Sequence, residues 1–186
     1  MKSNYKQTIS ACFIGYIIQA IVNNFVPLLF VTFQKSYSIE LSKITVLITI
    51  NFVIQLCIDL ASAYFIDKIG YRASALIAHG CSAAGLILLT ILPELLPSAY
   101  AGIVISVIIY AIGGGLLEVL LSPIIEACPT GNKEKAMSLL HSFYCWGHMG
   151  VVLLSTAFFA IFGIENWKAL ALIWAAVPVF NGIFFT

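Results

Sequence analysis

The stretch Asp59-Leu60-Ala61-Ser62-Ala63-Tyr64-Phe65-Ile66-Asp67-Lys68-Ile69-Gly70-Tyr71-Arg72 ends one long apolar segment and turns at once into another. Its first carboxylate lies inside the apolar run. Its second opens a turn of a few residues with Lys68 and Arg72 beside it. A chain that turns so tightly between two long apolar runs is packing antiparallel helices. The surrounding composition says in what solvent. The 186 residues are 61% hydrophobic and only 9% charged, with a mean hydropathy of +1.04. Soluble domains carry about 25% charged residues. A surface cannot be covered with polar groups at this composition, so the class is polytopic membrane protein. The net charge of +1 says nothing about nucleic acid, and no basic cluster that would bind it is evident, so no nucleic-acid partner is expected. The partner is the lipid bilayer.

Working outward from the turn, six apolar segments fall at roughly 8–33, 43–66, 73–92, 99–125, 136–162 and 168–186. Each is long enough for a hydrocarbon core of about 30 Å at about 1.5 Å per residue. The first follows Met-Lys-Ser-Asn-Tyr-Lys but is far longer than a signal h-region, and reads as a retained helix. Lys2, Lys6, Lys68, Arg72, Lys133 and Lys135 lie on one side and Lys35, Lys43 and Lys168 on the other, six against three. That asymmetry puts the N-terminus in the cytoplasm. Tyr37, Tyr100 and Trp167 near outer ends suit the interface. Cys12, Cys57, Cys81, Cys128 and Cys145 have no C-x-x-C spacing and read as free, buried thiols. No metal site and no cofactor is expected.

Polar residues inside the segments carry the functional information. Tyr16, Gln19 and Asn23 share a helix face, with Asn24 beside it. Asn51, Gln55 and Asp59 follow at intervals of four, and Ser62 extends the stripe. Tyr110, Gly114, Glu118 and Ser122 do the same in the fourth segment. Ser138, His141, Tyr144, Cys145 and His148 form a face in the fifth. The third offers His79 and Ser82, the sixth little beyond Asn181. In lipid such stripes must turn toward protein or a water-filled cavity. A single Asn, Gln or Ser often serves only to bond a neighbouring helix. Four aligned stripes favour a polar cavity, with the third and sixth segments outside it.

Asp59 and Glu118 each lie about eight residues, or roughly 12 Å of rise, from a helix end. A carboxylate near a helix centre costs about 2.5–3.5 kcal/mol. Either Tyr, His or backbone groups offset that cost, or the carboxylate titrates and carries a proton. His141 and His148 lack the partners of a metal site. No hydrolytic constellation and no phosphate loop is present. Gly113-Gly114-Gly115 reads as close helix packing or a flexible point, and Pro123 as a kink.

The stretch Ala63-Tyr64-Phe65-Ile66-Asp67-Lys68-Ile69-Gly70-Tyr71-Arg72 resembles the signature loop between helices 2 and 3 of the major facilitator superfamily, Gly-x-x-x-Asp-basic-x-Gly-basic-basic. Asp67, Lys68, Gly70 and Arg72 match, Ala63 stands for the first glycine and Tyr71 for one basic residue. The resemblance implies an all-α, six-helix membrane bundle of 3+3 inverted repeats, the N-terminal half of the fold. A C-terminal six-helix half is then expected, in the same chain or as a second subunit. No residue-level repeat between the two sets of three is evident. It implies a plasma-membrane secondary transporter moving a small solute, with Asp67, Lys68, Gly70 and Arg72 as a cytoplasmic gate. Gly115-x-x-Glu118 and His141-Ser-Phe-Tyr144-x-x-Gly147 are similar to the fucose-permease type of sugar–proton symporters, which implies proton coupling at Glu118, with Asp59 and His141 as further candidates. Gln19, Asn23, Asn24, Asn51, Gln55, Tyr144 and His148 are the candidate substrate contacts. Few charges on these faces favour a neutral solute. Two other classes stay open: the six-helix substrate-binding subunit of an ATP-driven vitamin importer, and an integral-membrane enzyme.

Overall fold

A computed structural model describes residues 5–129 and 131–185, with Ala63 described by its backbone alone. Lys2 lies outside the described residues, so the basic residues compared are five on one face and Lys35, Lys43 and Lys168 on the other. Among the described residues seven α-helices follow in order: α1 (Tyr5–Leu28), α2 (Phe30–Tyr37), α3 (Leu41–Ile69), α4 (Tyr71–Leu95), α5 (Ala99–Ala127), α6 (Lys133–Phe162) and α7 (Trp167–Ile183). A 3-10 turn at Ile164–Asn166 precedes α7, and no strand occurs among the described residues.

The first apolar segment, expected as one helix, is two. Pro27 has no N–H to give to the turn before it, and Leu29 bonds tightly back to the Val26 carbonyl (2.9 Å) at the join. Pro123 leaves α5 unbroken. Five helices, α1 and α3 to α6, are long and apolar enough to cross a membrane. The sixth expected span is the 17-residue α7, about 25 Å long. It lies at the short end of what a bilayer needs. Side-chain caps set two of the starts: Ser98 Oγ accepts from the Ala101 nitrogen and Asn132 Oδ1 from the Lys135 nitrogen.

The deciding turn is shorter than expected. Asp67 and Lys68 are in the last turn of α3, Tyr71 and Arg72 in the first turn of α4, and Gly70 alone joins them. Gly70 has φ 84° and ψ 152°, a region open essentially to glycine only. Gly163, before the turn into α7, has φ 83° and ψ 151°. The same backbone device therefore joins the second long helix to the third in each set of three.

The packing repeats in the same way. Phe13 stacks on Phe143 (4.7 Å between centroids) and Gly147 seats against Ile17, so α1 and α6 run parallel. The Tyr100 hydroxyl donates to the Lys43 carbonyl (3.1 Å) and Gly115 seats against Gln55, so α5 and α3 run parallel. α1 crosses α5 antiparallel, with Tyr16 beside Ser122 and Gln19 beside Glu118. α4 and α7 are also antiparallel. Lys168 pairs with Glu94 at one end, and at the other Arg72 Nε donates to the Phe185 carbonyl (2.8 Å). Two three-helix units of opposite direction thus interlock, α1 and α5 inside and α4 and α7 together at one flank.

The flank is tied by a buried polar knot. The Asn181 amide donates to the Ala11 carbonyl (3.0 Å) and to His79 Nε2 (2.8 Å), leaving the ring proton on Nδ1 for the Ala75 carbonyl (2.7 Å). His79 and Asn181 thus lock α1, α4 and α7. Trp167 is buried against Phe33, because α2 folds over the start of α7.

These torsions predict a separable effect. Gly70→Ala adds a methyl that meets nothing within 4 Å, so its cost is backbone strain alone, about 1–3 kcal/mol. A fall in Tm of about 3–10 °C is expected. Gly80→Ala, equally open but inside α4, is expected to hold or raise Tm. Equal melting of both variants in a thermal-shift assay would contradict the torsional reading.

Candidate functional site

Between α1, α3, α5 and α6 lies a cavity of about 480 Å³. Its wall consists of Tyr16, Gln19 and Asn23 from α1, Phe52, Gln55, Leu56 and Asp59 from α3, Glu118 from α5, and His141, Tyr144 and Cys145 from α6. α4 and α7 contribute none of these. The positions follow from helical spacing: 16, 19 and 23 on α1 and 52, 55, 56 and 59 on α3 each stack on one face.

α1 is the hub. Gln19 Nε2 donates to Glu118 Oε2 (2.9 Å). One turn on, Asn23 Oδ1 accepts from both Gln55 Nε2 (2.7 Å) and Asn51 Nδ2 (3.0 Å), and its own Nδ2 donates to the Tyr144 hydroxyl (3.4 Å). One turn back, the Tyr16 hydroxyl lies 3.5 Å from Ser122 Oγ, and its ring meets His141 (5.6 Å) and Tyr144 (6.1 Å). Three side chains of one helix thus bond three other helices. The network is only partly satisfied: Gln19 Oε1 and Asn51 Oδ1 are buried without a partner among the described residues. Glu118 stands exposed on the cavity wall, with Asp59 acting on it electrostatically from α3. Among the described residues, no lysine or arginine is in the lining.

The structure therefore brings Gln19, Asn23, Gln55, Tyr144, Glu118, Asp59 and His141 to one space. It does not bring Asn24, Asn51 or His148 there. Asn24 donates to the Ala20 carbonyl of its own helix (2.7 Å). Asn51 is buried behind Asn23 and serves to hold it. His148 lies a turn beyond Tyr144, its ring 6.5 Å away. Asp67, Lys68, Gly70 and Arg72 are remote from the cavity, at the face where α3 ends; Asp67 and Lys68 are exposed there. Arg72 donates to the Phe185 carbonyl just past the end of α7, where a cation suits the helix dipole.

Phe52, Leu56, Tyr16 and Cys145 complete the lining without having been picked out as contacts. Phe52 and Leu56 carry no polar signal, but they share the face of Gln55 and Asp59. Cys145 and Cys57 are exposed, which corrects the expectation of five buried thiols; Cys145 faces the cavity. The triple glycine packs at every residue. Gly113 meets α4, Gly114 meets Val22 and Gly115 meets α3. Among the described residues, no three His, Cys, Asp or Glu side chains gather so as to hold a metal ion.

An open cavity with polar groups in its wall, bordered by apolar, membrane-length helices, is the arrangement of a multi-pass membrane transporter. The Major Facilitator Superfamily model matches residues 12–186, so the chain belongs to that superfamily and is a transporter chain of its type. No curated protein matches the chain.

Proposed function

We propose that the chain forms the N-terminal half of a secondary active transporter that moves a small, uncharged solute by alternating access, coupled to protons. The observation that carries this reading is the Gln19–Glu118 contact at the wall of the shared cavity. A carboxylate on the cavity wall, midway along a membrane-length helix and held by one neutral amide, is free to gain and lose a proton without breaking an ion pair. Glu118 is the coupling carboxylate. Asp59, facing it from α3, and His141 are the nearby groups that exchange protons with it.

Gln19, Asn23, Gln55 and Tyr144 contact the solute. Asn51 acts by fixing Asn23. Asn24 and His148 sit at the margin of the site and act only in another conformation of the bundle. A second six-helix bundle, from the same chain or another, closes the cavity over the exposed apolar faces of α3 and α6, including Leu60, Tyr64, Met149 and Leu153. The N-terminal face is cytoplasmic in the plasma membrane, as the Lys and Arg distribution favours. On that face Asp67 and Lys68 meet the second bundle when the cavity opens outward. Gly70 and the Arg72–Phe185 contact hold the turn that carries them. Rocking of the two bundles then exposes the cavity to each side in turn.

Transport by vesicles carrying the native protein tests the reading. With a panel of radiolabelled uncharged solutes, accumulation of one of them is expected under an imposed inward proton gradient in the absence of ATP. Accumulation that requires ATP and ignores the gradient would return the chain to the class of importer subunits.

A further inference from the structure

Beside the cavity, where Pro27 breaks α1, lies a second and much smaller recess; among the described residues Asn23 alone lines both. It leaves about 10 Å³ for the centre of a water-sized sphere, about what a single water needs. Three helices each bring a polar residue to it. Asn51 of α3 is 4% exposed, and its Oδ1 is buried without a partner, since its bond to Asn23 (3.0 Å) is made by Nδ2. Pro27 has no N–H, so the Asn23 carbonyl of α1 loses the donor that a regular helix supplies four residues on. The Leu29 nitrogen turns back to Val26 instead. Tyr110 of α5 is 2% exposed, and its hydroxyl enters no hydrogen bond among the described residues. Aliphatic side chains such as Val22 and Leu47 close the rest.

We infer that this recess is a binding site for one water molecule, which donates to Asn51 Oδ1 and to the Asn23 carbonyl and accepts from the Tyr110 hydroxyl. The count fits the chemistry. A carboxamide oxygen and a backbone carbonyl only accept, while a phenol hydroxyl can donate. Water supplies two donors and has room for the third bond. Buried waters make about three hydrogen bonds each, to polar groups that otherwise lack partners. Leaving such groups unpaired is costly. A metal cation fits less well, since it takes about six oxygens, carboxylates among them, and no carboxylate of the described residues lines the recess. The water bridges α1, α3 and α5 at the point where α1 is interrupted. It holds the Asn23–Asn51 pair in place while α2 turns away over the start of α7. The inference goes beyond the transport reading and does not depend on which solute or ion is moved.

Tyr110→Phe removes the hydroxyl and keeps the ring. With the water bound, the native protein in lipid nanodiscs is expected to lose about 2–4 °C in Tm, the shift for one hydrogen bond in a chain of this size. In a dry recess the change would only delete an unpaired hydroxyl, and Tm would hold or rise. Asn51→Leu supplies a second background, because an aliphatic side chain there fills the recess and excludes the water. In that background Tyr110→Phe is expected to leave Tm unchanged. A Tm that holds or rises in the first variant, or an equal fall in both backgrounds, overturns the inference. A structure of the native protein in nanodiscs that resolves ordered water is expected to show one peak within about 3.2 Å of Asn51 Oδ1 and of the Tyr110 hydroxyl. Water resolved in the large cavity with none in the recess would overturn it as well. Replacing sodium with N-methylglucamine in the buffer is expected to leave Tm where it was. A fall on that exchange would assign the recess to a cation, against the inference. Where a variant does not fold, the structure decides alone.

Discussion

Glu118→Gln is expected to abolish proton-driven accumulation while leaving the protein folded and able to bind its solute. The amide has nearly the shape of the carboxylate, and its oxygen can still accept from Gln19 Nε2 across the 2.9 Å contact between α1 and α5. The hub at Asn23, which bonds α3 and α6, is not touched by the change. What is lost is the one group on α5 that lines the cavity and can titrate. A gradient of about two pH units is worth about 2.7 kcal/mol per proton. At one proton per solute that supports accumulation of about 100-fold, and the variant is expected to stay near the external concentration. Exchange of labelled for unlabelled solute at equal pH, which needs no net proton movement, is expected to persist. Accumulation at the wild-type level in the variant would show that the coupling proton does not pass through Glu118.

Gly113→Leu is expected to be the most destabilising single change. α4 and α5 approach so closely that three glycines separate their backbones. A methyl at Gly113 would lie 2.6 Å from the Ala78 carbonyl oxygen and from the Ser82 nitrogen. One at Gly85 would lie 2.5 Å from the Tyr110 nitrogen, and one at Gly102 would lie 2.5 Å from the Leu92 carbonyl carbon. Backbone atoms inside two long helices cannot step aside as a side chain can. Overpacking of well-filled sites costs about 1–3 kcal/mol, and leucine against main chain belongs at or above the upper end. A fall in Tm of about 5–10 °C, or loss of the monodisperse peak in size-exclusion chromatography, is expected. Gly114→Ala makes the comparison: its added methyl first meets Val22 Cγ1 at 2.9 Å and Gln55 Nε2 at 3.4 Å, the ends of side chains. It is expected to melt within a few degrees of the wild type. A Gly113→Leu protein with an unchanged Tm would mean that α4 and α5 do not pack at this distance.

The helices were legible because an apolar run of membrane length needs no partner to declare itself. The faces of Gln19, Asn23, Gln55, Asp59, Glu118 and Tyr144 were legible as well, since spacings of three and four residues define a face whatever lies opposite. Spacing gives direction around one helix axis but not distance to the next helix. Asn51 and Gln55 belong to one stripe, yet Gln55 lines the cavity while Asn51 is sealed behind Asn23. His148 shares the face of Tyr144 and still lies outside the lining, one turn beyond it on α6. Trp167 had the composition of an interfacial anchor and became buried once α2 folded onto it. The relation between the two sets of three helices was invisible in residue identities. It is carried by backbone geometry, in the matched torsions of Gly70 and Gly163 and in the exchanged pairing of α1 with α6 and α5 with α3. Many side chains can satisfy such packing, so residue letters do not record it. A left-handed torsion between two helices admits little but glycine, and there the repeat leaves its mark in both.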